Sequence, residues 1–341
     1  MAGLDTPLCG MLRIRYPILS VGFGRSAGPE LAAAVSNAGG AGVIGCSGME
    51  ADHIGSLIAR TRELTALPFG VNLIIDSDET DEDLALLRAE VEAASAADFV
   101  VLFWGDPGPY IELAHGRGAT LLIQVGSVDE ARAAVEAGVD GVIAQGLEAG
   151  GHVRSRTSIW ELLPQAVEAA GSVPVLASGG IGNGDAIARA LRAGAQGVSL
   201  GTRFVASEEA WIHRVYKQRL TVSGADDTVL NELYDIGWPN APHRTLRNKT
   251  FDEWDAAGRP PSGQRPGEGT RIGYRRSVAG DRQEWLRYAV GYLGPDFEGD
   301  IDYAPMWAGT SVSEVRDVKP AAAIVADLVR ETEAALAAGS G

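Results

Sequence analysis

The chain has 341 residues, of which 45% are hydrophobic, so it can bury a large core in one domain with a modest additional lobe. Its 45 acidic and 29 basic residues leave a net charge of −16. Because that charge repels nucleic acid and anionic membrane surfaces alike, the composition argues against both as partners.

The first residues carry no predicted targeting or membrane signal. They lack a basic start followed by a sustained apolar stretch, and no window of the chain reaches the roughly 18 apolar residues of a membrane span. Cys9 and Cys46 have neither the spacing of metal ligands nor that of a disulfide framework, so we interpret them as ordinary thiols of a reducing compartment. The sequence therefore predicts a cytoplasmic protein.

From residue 17 to 206, short apolar β-forming segments alternate with segments rich in Ala, Leu and Glu, which is typical of repeated βα units. The eight predicted strands are residues 17–22, 42–46, 69–74, 99–105, 120–126, 141–146, 174–180 and 197–204. Several of the helices between them end at glycine, and they include 29–38, 51–64, 81–94, 127–137, 158–170 and 183–193.

Eight parallel strands, each followed by a helix, predict an α/β fold of the (β/α)8 TIM-barrel type, with an open doubly wound sheet as the alternative. The alternation ends after strand eight, where the chain becomes rich in Gly, Pro, Arg and Trp. We interpret residues 1–220 as the barrel and 221–300 as an inserted lid or second lobe. Residues 301–341 then return to the barrel and end in a helix over 319–337.

Two glycine-rich loops follow predicted strands seven and eight, where barrels of this type commonly bind a phosphate. The loops are 178–182 (SGGIG) and 200–203 (LGTR). Glycine lets backbone N–H groups approach an anion closely, although tight turns also require glycine. Together the two loops favour a ligand that carries a phosphate.

A histidine follows strand six, at the end of the segment QGLEAGGH (145–152). A neutral imidazole can accept a proton at physiological pH, and a strand-end loop directs it towards the barrel mouth, so His152 is the predicted catalytic base. A hydrogen-bonded structural histidine is the alternative. The other histidines are predicted to be structural or solvated, three on helices and one in the lid: His53, His115, His213 and His243.

Two further polar residues lie at strand ends. Asn72 ends strand three, and its amide can bind the edge of a heterocycle or tie two loops together. Glu148 fits either a second acid or base or a side chain that pins the glycine loop, so it receives no catalytic role. The glycines at 22–28 do not fit the dinucleotide pattern G-x-G-x-x-G, and no cluster of His and carboxylates has metal-ligand spacing. No metal is expected.

With these residues in view, the chain resembles the nitronate monooxygenase family, also called 2-nitropropane dioxygenases, through nearly the whole barrel. The matching segments are PELAAAVSNAGGAGVIG at 29–45, FGVNL at 69–73, QGLEAGGH at 145–152, PVLASGGIGNG at 174–184 and GAQGVSLGTRFVASEEA at 194–210. The resemblance resumes at 306–309 and in the terminal helix. One departure follows strand one, where residues 20–23 (SVGF) replace an Ala-Pro-Met-like segment against the flavin ring.

This resemblance implies non-covalently bound FMN and a role for His152 as the base that deprotonates neutral nitroalkanes. The implied flavin contacts lie at strand ends and in the glycine loops: Gly22, Phe23, Asn72, Gln145, Gly150, Gly151, Gly179, Gly180, Ser199, Leu200, Gly201 and Thr202. The implied reaction is oxidation of alkyl nitronates by O2 to a carbonyl compound and nitrite. The alternative is an NAD(P)H-dependent flavin reductase that acts on a quinone or an enoyl thioester.

Two aromatic residues lie where the chain returns from the lid to the barrel mouth. Tyr303 and Trp307 are predicted to face the substrate, with packing between lid and barrel as an equal alternative. The expected partners are a small-molecule substrate and O2, to which the reductase alternative adds NAD(P)H. A monomer and a homodimer are both compatible with the sequence.

Overall fold

Parallel strands form the centre of the molecule. The computed structural model describes residues 4–75, 80–277 and 280–338, and it contains one eight-stranded parallel sheet. The strands, labelled β1 to β8 in chain order, are Ile18–Ser20, Gly42–Gly45, Phe69–Ile74, Phe99–Phe103, Thr120–Val125, Gly141–Gln145, Val175–Ser178 and Gly197–Leu200. β1 pairs with β8, and a parallel bridge between Leu19 and Ala41 joins β1 to the start of β2. The sheet is thereby closed, which confirms the predicted (β/α)8 barrel.

Helices surround the strands, as the alternating sequence predicts. Those of the barrel are Pro29–Asn37, Ala51–Leu64, Asp81–Ala94, Ile111–Gly116, Val128–Ala137, Ile159–Ala170, Gly184–Arg192 and Thr202–Val205. Residues of the 159–170 helix show why the barrel holds together, since Leu162, Leu163 and Ala166 are buried on one face. That spacing is the helical period which predicted the segment.

A short helix at the beginning of the chain, Pro7–Leu12, closes the N-terminal end of the barrel. Leu8 and Leu12 belong to the same buried cluster as the barrel-interior side chains Phe99 and Leu122. The sequence analysis does not single out this helix. Its apolar residues are too few for a helical period, and only the open barrel end shows what they cover.

The predicted lid region contains two small three-stranded sheets. The helix Arg214–Val222 lies mostly before the predicted lid. The lid itself contains the helix Lys249–Ala256 and the strands Thr228–Asn231, His243–Leu246, Arg271–Arg276, Arg282–Leu286 and Glu298–Gly299. One sheet includes Gly151–His152 from the loop after β6, so the lid is hydrogen-bonded directly to the barrel mouth. The division at residues 220 and 300 stays a prediction.

The last helix, Ala321–Ala338, packs against the helix Gly184–Arg192. The N–H of Gly184 donates to Oε2 of Glu331 at 3.0 Å, which fixes the terminal helix beside the helix that follows β7. No helix within residues 4–75, 80–277 and 280–338 is long and apolar enough to cross a membrane. The same described ranges contain no group of His, Cys, Asp and Glu that could hold a metal ion.

Candidate active site

A cleft opens at the carboxyl ends of the barrel strands. It is lined by residues from the strand ends and from the lid region. The predicted site residues that line it are Gly22, Phe23, Asn72, Gln145, Gly150, Gly151, His152, Gly179, Gly180, Ser199, Gly201, Thr202 and Trp307. The structure therefore brings together the strand ends on which the sequence prediction depends.

Two predicted contact residues do not line the cleft. Leu200 is 1% exposed in the core between barrel and helices, because successive strand residues point to opposite faces and Ser199 takes the inner one. Tyr303 donates its hydroxyl to Oε1 of Glu253 at 2.8 Å, and Arg287 lies 4.5 Å from its ring centroid. Both predictions are corrected on these grounds: neither side chain is in position to touch a ligand in the cleft.

The two glycine-rich loops form a cradle with free backbone donors. Gly179 and Gly180 have φ angles of 93° and 70°, in the left-handed region that favours glycine. A Cβ added to Gly180 would lie 2.9 Å from the Cβ of Glu148. The N–H groups of Gly179, Gly180 and Gly201 donate to no acceptor in the part of the chain that the structure describes. Free N–H groups in a glycine cradle fit a phosphate group.

Polar side chains surround the floor of the cleft. Asn72 donates from Nδ2 to the carbonyl of Val101 at 3.0 Å, and Ser20 accepts the N–H of Val43 at 3.1 Å. Gln124 and Ser199 also line the cleft. Amide and hydroxyl groups at this depth can donate to and accept from the heteroatoms of an isoalloxazine ring, so these strand ends also fit a flavin.

Gln145 holds the loop that carries His152. Its Nε2 donates to the carbonyl of His152 at 2.9 Å, and its Oε1 accepts the N–H of Arg154 at 2.8 Å. Both ends of the amide are thus bound to the backbone around the histidine. Gln145 lines the cleft, as predicted for a flavin contact, but its hydrogen bonds make it a positioning residue for His152.

The imidazole of His152 lies among tryptophan rings. Its centroid is 3.9 Å from that of Trp238, 5.4 Å from that of Trp307 and 6.3 Å from that of Trp104. Nε2 is buried and has no hydrogen-bond partner within the described ranges. Burial, and to a lesser extent the neighbouring His243, lower the pKa of His152 to about 3. The ring is therefore neutral at physiological pH, so one of its two nitrogens carries no proton.

His243 supports this arrangement as a structural residue. It is fully buried, its Nδ1 lies 2.9 Å from the carbonyl of Ala241, and its Nε2 accepts the N–H of Tyr234 at 3.2 Å. These contacts place the proton on Nδ1, because Nε2 serves as the acceptor. Burial is the main cause that lowers the pKa of His243 to about 4.

The remaining histidines lie outside the cleft. His53 is on the helix Ala51–Leu64, and His115 pairs with Asp140 at 2.9 Å. The prediction that His213 lies on a helix is corrected: it lies directly before the helix Arg214–Val222. Its Nδ1 accepts the N–H of Val215 at 3.2 Å and caps that helix.

We expect acid to destabilise the protein through His243. Its pKa in the folded state lies below the usual 6.5, so the unfolded chain binds the proton first and stability falls as the pH drops from about 6.5 to about 4. The loss from this residue amounts to about 3 kcal/mol by pH 4. Urea unfolding of the wild type and His243→Asn at pH 7 and pH 4.5 measures it. An equal pH dependence in the two proteins would contradict the expectation, since both share every carboxylate.

Glu148 pins the loop after β6. Its Oε2 accepts the N–H of Ile159 at 2.9 Å, and its Oε1 accepts the hydroxyl of Ser158, at the beginning of the helix Ile159–Ala170. A carboxylate at a helix N-terminus is electrostatically favourable. Of the two interpretations from the sequence, the structure supports the pinning side chain.

Sequence reasoning missed several residues of the site. Tyr292 and Trp238 come from lid segments without a periodic pattern, and Tyr292 lines the cleft. Trp104 directly follows β4 and has a φ angle of 78°, which is uncommon for a residue other than glycine. Its place after a barrel strand was the one signal available from the sequence.

Comparison with known proteins identifies relatives across most of the chain. The family model described as nitronate monooxygenase matches residues 5–331. A (3aS,4S,5R,7aS)-5-hydroxy-7a-methyl-1-oxo-octahydro-1H-indene-4-carboxyl-CoA dehydrogenase of Mycobacterium tuberculosis is 33% identical over 259 residues, which cover 75% of this chain and 70% of the relative.

Two solved structures share the fold over nearly their whole length. FabK from Thermotoga maritima has a TM-score of 0.78 and 30% sequence identity, and the match covers 99% of each chain. The nitroalkane oxidase from Streptomyces ansochromogenes has a TM-score of 0.76 and 27% identity, and the match covers 97% of this chain and 99% of that one.

Proposed function

Because the chain belongs to the nitronate monooxygenase family and is a flavin-dependent oxidoreductase, we propose that it uses FMN and O2 to oxidise alkyl nitronates to a carbonyl compound and nitrite. One observation carries the proposal: a glycine cradle with free N–H groups and a neutral, unpartnered histidine line the same cleft. FMN would supply the electron transfer between substrate and O2.

The glycine loops after β7 and β8 would hold the FMN phosphate through the N–H groups of Gly180 and Gly201. Asn72, Ser199 and Gln124 would hydrogen-bond to the ring from the floor of the cleft. The tryptophans around His152 exclude water from the other side. This arrangement leaves the space between the floor and His152 for a small organic substrate.

His152 would act on substrates that arrive as neutral nitroalkanes. In the tautomer that carries its proton on Nδ1, Nε2 would accept the proton from the carbon next to the nitro group, because the ring is neutral and Nε2 has no hydrogen-bond partner among the described residues. Two contacts hold the backbone of His152 in place: the hydrogen bond from Gln145 and the antiparallel strand pairing with His243. A nitronate has already lost this proton and would need His152 only for positioning.

We expect the purified protein to be yellow and to release FMN on heating. The two glycine loops would form a single phosphate site, which would suit a mononucleotide and not the diphosphate of FAD. Chromatography and mass spectrometry of the released flavin test this. Release of FAD, or failure to bind flavin on reconstitution, would contradict the cofactor proposal.

Nitrite release tests the reaction itself. We expect propionate 3-nitronate to yield nitrite in air and none under nitrogen, because O2 is the proposed electron acceptor.

The second candidate, an NAD(P)H-dependent reductase of a quinone or an enoyl thioester, is favoured by the relative that acts on a carboxyl-CoA substrate. Anaerobic mixing with NADPH separates the two. Rapid bleaching of the flavin by NADPH, without nitrite release in air, would support the reductase.

Paired aromatic substitutions test the substrate contacts. We expect Trp307→Phe to change KM for the nitronate several-fold, because Trp307 lines the cleft 5.4 Å from His152. Tyr303→Phe should leave KM unchanged, since its hydroxyl binds Glu253 outside the cleft. Steady-state kinetics of both variants give the comparison. An equal effect on KM, or an effect of Trp307→Phe on stability alone, would leave Trp307 as a packing residue.

We further propose that the protein is cytoplasmic and works as a monomer or homodimer. Its partners would be a small-molecule substrate and O2, with NAD(P)H added in the reductase alternative. The net charge of −16 supports the expectation that it does not bind nucleic acid.

A further inference from the structure

An arginine lies beside the cleft on the loop after β1. Phe23 of that loop lines the cleft, and Arg25 follows two residues later. The guanidinium of Arg25 stacks 4.3 Å from the ring centroid of Trp211, and its Nη1 donates to the carbonyl of Arg276 at 2.7 Å. The side chain is half-buried and held in one orientation, and Nη1 is the one guanidinium atom that donates a hydrogen bond within residues 4–75, 80–277 and 280–338.

A second arginine reaches the same place from the lid strand Arg271–Arg276. The guanidinium of Arg275 lies against Gly291, since a Cβ added there would collide with its Nη1 atom. Gly291 directly precedes Tyr292, which lines the cleft. The ring of Trp285 lies 4.8 Å from the Arg275 guanidinium carbon. An aromatic ring thus orients each arginine, and both arginines lie next to the surroundings of Tyr292, since a Cβ added to Gly24 would also collide with the Tyr292 ring.

The two cations lack ion-pair partners among the described carboxylates. Burial lowers the pKa of the Arg275 guanidinium, and the nearby charge of Arg25 lowers it further. Asp296 attracts Arg275, but its Oδ2 accepts the N–H of Arg276 at 2.8 Å. Two neighbouring, half-buried cations repel each other, so a bound anion would stabilise this arrangement.

We propose that Arg25 and Arg275 bind a phosphate group of a substrate or co-substrate whose reacting end enters the cleft. Guanidinium edges donate paired hydrogen bonds to phosphate oxygens, and stacking on Trp211 and Trp285 keeps those edges oriented. Two kinds of molecule carry such a phosphate on an adenosine ribose: a coenzyme A thioester, at the 3′ position, and NADPH, at the 2′ position. An alkyl nitronate carries none, so this subsite does not depend on the reaction proposed above.

Calorimetric titration of the flavin-loaded protein tests the subsite with two matched ligand pairs. The pairs are coenzyme A with 3′-dephospho-coenzyme A, and NADPH with NADH. We expect the phosphate-bearing member of one pair to bind about 10- to 100-fold more tightly than its partner, because a charge-assisted contact is lost in the other. The pair that shows the difference identifies the class of ligand.

Two variants and a control assign the difference to these residues. Arg275→Gln and Arg25→Gln should each remove most of the discrimination while the affinity for the phosphate-free member stays the same. Arg271→Gln makes the same charge change on the same strand, at a residue paired with Glu284 at 2.8 Å, and should retain the discrimination.

The proposal is overturned if the wild type shows no difference within either pair, including the case in which no member binds. It is also overturned if either arginine variant, folded as judged by circular dichroism, retains the full difference. Nitrite release from the nitronate is measured separately, so failure of this subsite and failure of the proposed oxidation are distinguishable.

Discussion

Replacing His152 with alanine is expected to lower turnover of neutral nitroalkanes by about 10²- to 10⁴-fold, the usual contribution of a general base. Turnover of a nitronate prepared in advance should fall much less, because the proton has already left. The measurement is kcat/KM of His152→Ala for the two forms of one substrate, such as nitroethane and its nitronate. His53→Ala, on a helix outside the cleft, is the matched control.

Two other outcomes would assign a different role to His152. Equal losses for both substrate forms at full flavin occupancy would mean that the residue positions the substrate or stabilises its charge. Loss of flavin would make it structural.

Because its pKa lies near 3, the wild-type rate with neutral nitroalkane should show no acidic limb from this residue between pH 8 and 5. A limb near pH 6.5 that disappears in His152→Ala would mean that the ring is solvated during turnover.

Replacing Gly180 with valine is expected to empty the flavin site and abolish activity. The residue has a φ angle of 70°, and its new Cβ would lie 2.9 Å from the Cβ of Glu148 in the cradle. A β-branched side chain there both strains the backbone and displaces the loop from a phosphate. Flavin absorbance per mole of protein, after reconstitution with excess FMN, gives the occupancy.

Gly171→Val is the matched control for backbone strain. Gly171 has a φ angle of 60°, lies at the end of the helix Ile159–Ala170, and has no atom within 4 Å of an added Cβ. We expect this variant to lose some stability and to keep its flavin. If both variants lost flavin equally, strain and not the cradle would explain the result. If Gly180→Val kept full occupancy, the loop would not be the phosphate site.

The barrel was predictable because its signals are local. Apolar runs such as residues 69–74 match their strand to the residue, and Gly138 ends a helix with a φ angle of 104° as helix-stopping glycines do. The rule that barrel sites occupy the carboxyl ends of strands then located Asn72 and His152 correctly in one cleft.

The missed features depend on contacts between residues distant in sequence. Trp238 meets His152 only because the lid strand at 243–246 pairs with residues 151–152, and no local pattern encodes that pairing. Tyr303 was assigned to the cleft from its place in the chain, whereas its partner Glu253 lies 50 residues earlier. Position along the chain placed Trp238 in the predicted lid and Tyr303 in the predicted return to the barrel. It did not show which way either side chain points.

The lid begins and ends at one point on the barrel. The N–H of Ala225, where the chain enters the lid, donates to Oγ of Ser313, where it has returned, at 2.8 Å. Insertions or deletions in exposed loops between these positions leave the two ends of the segment joined at this hydrogen bond. Changes confined to such loops would reshape the mouth of the cleft while the two ends of the segment stay in place.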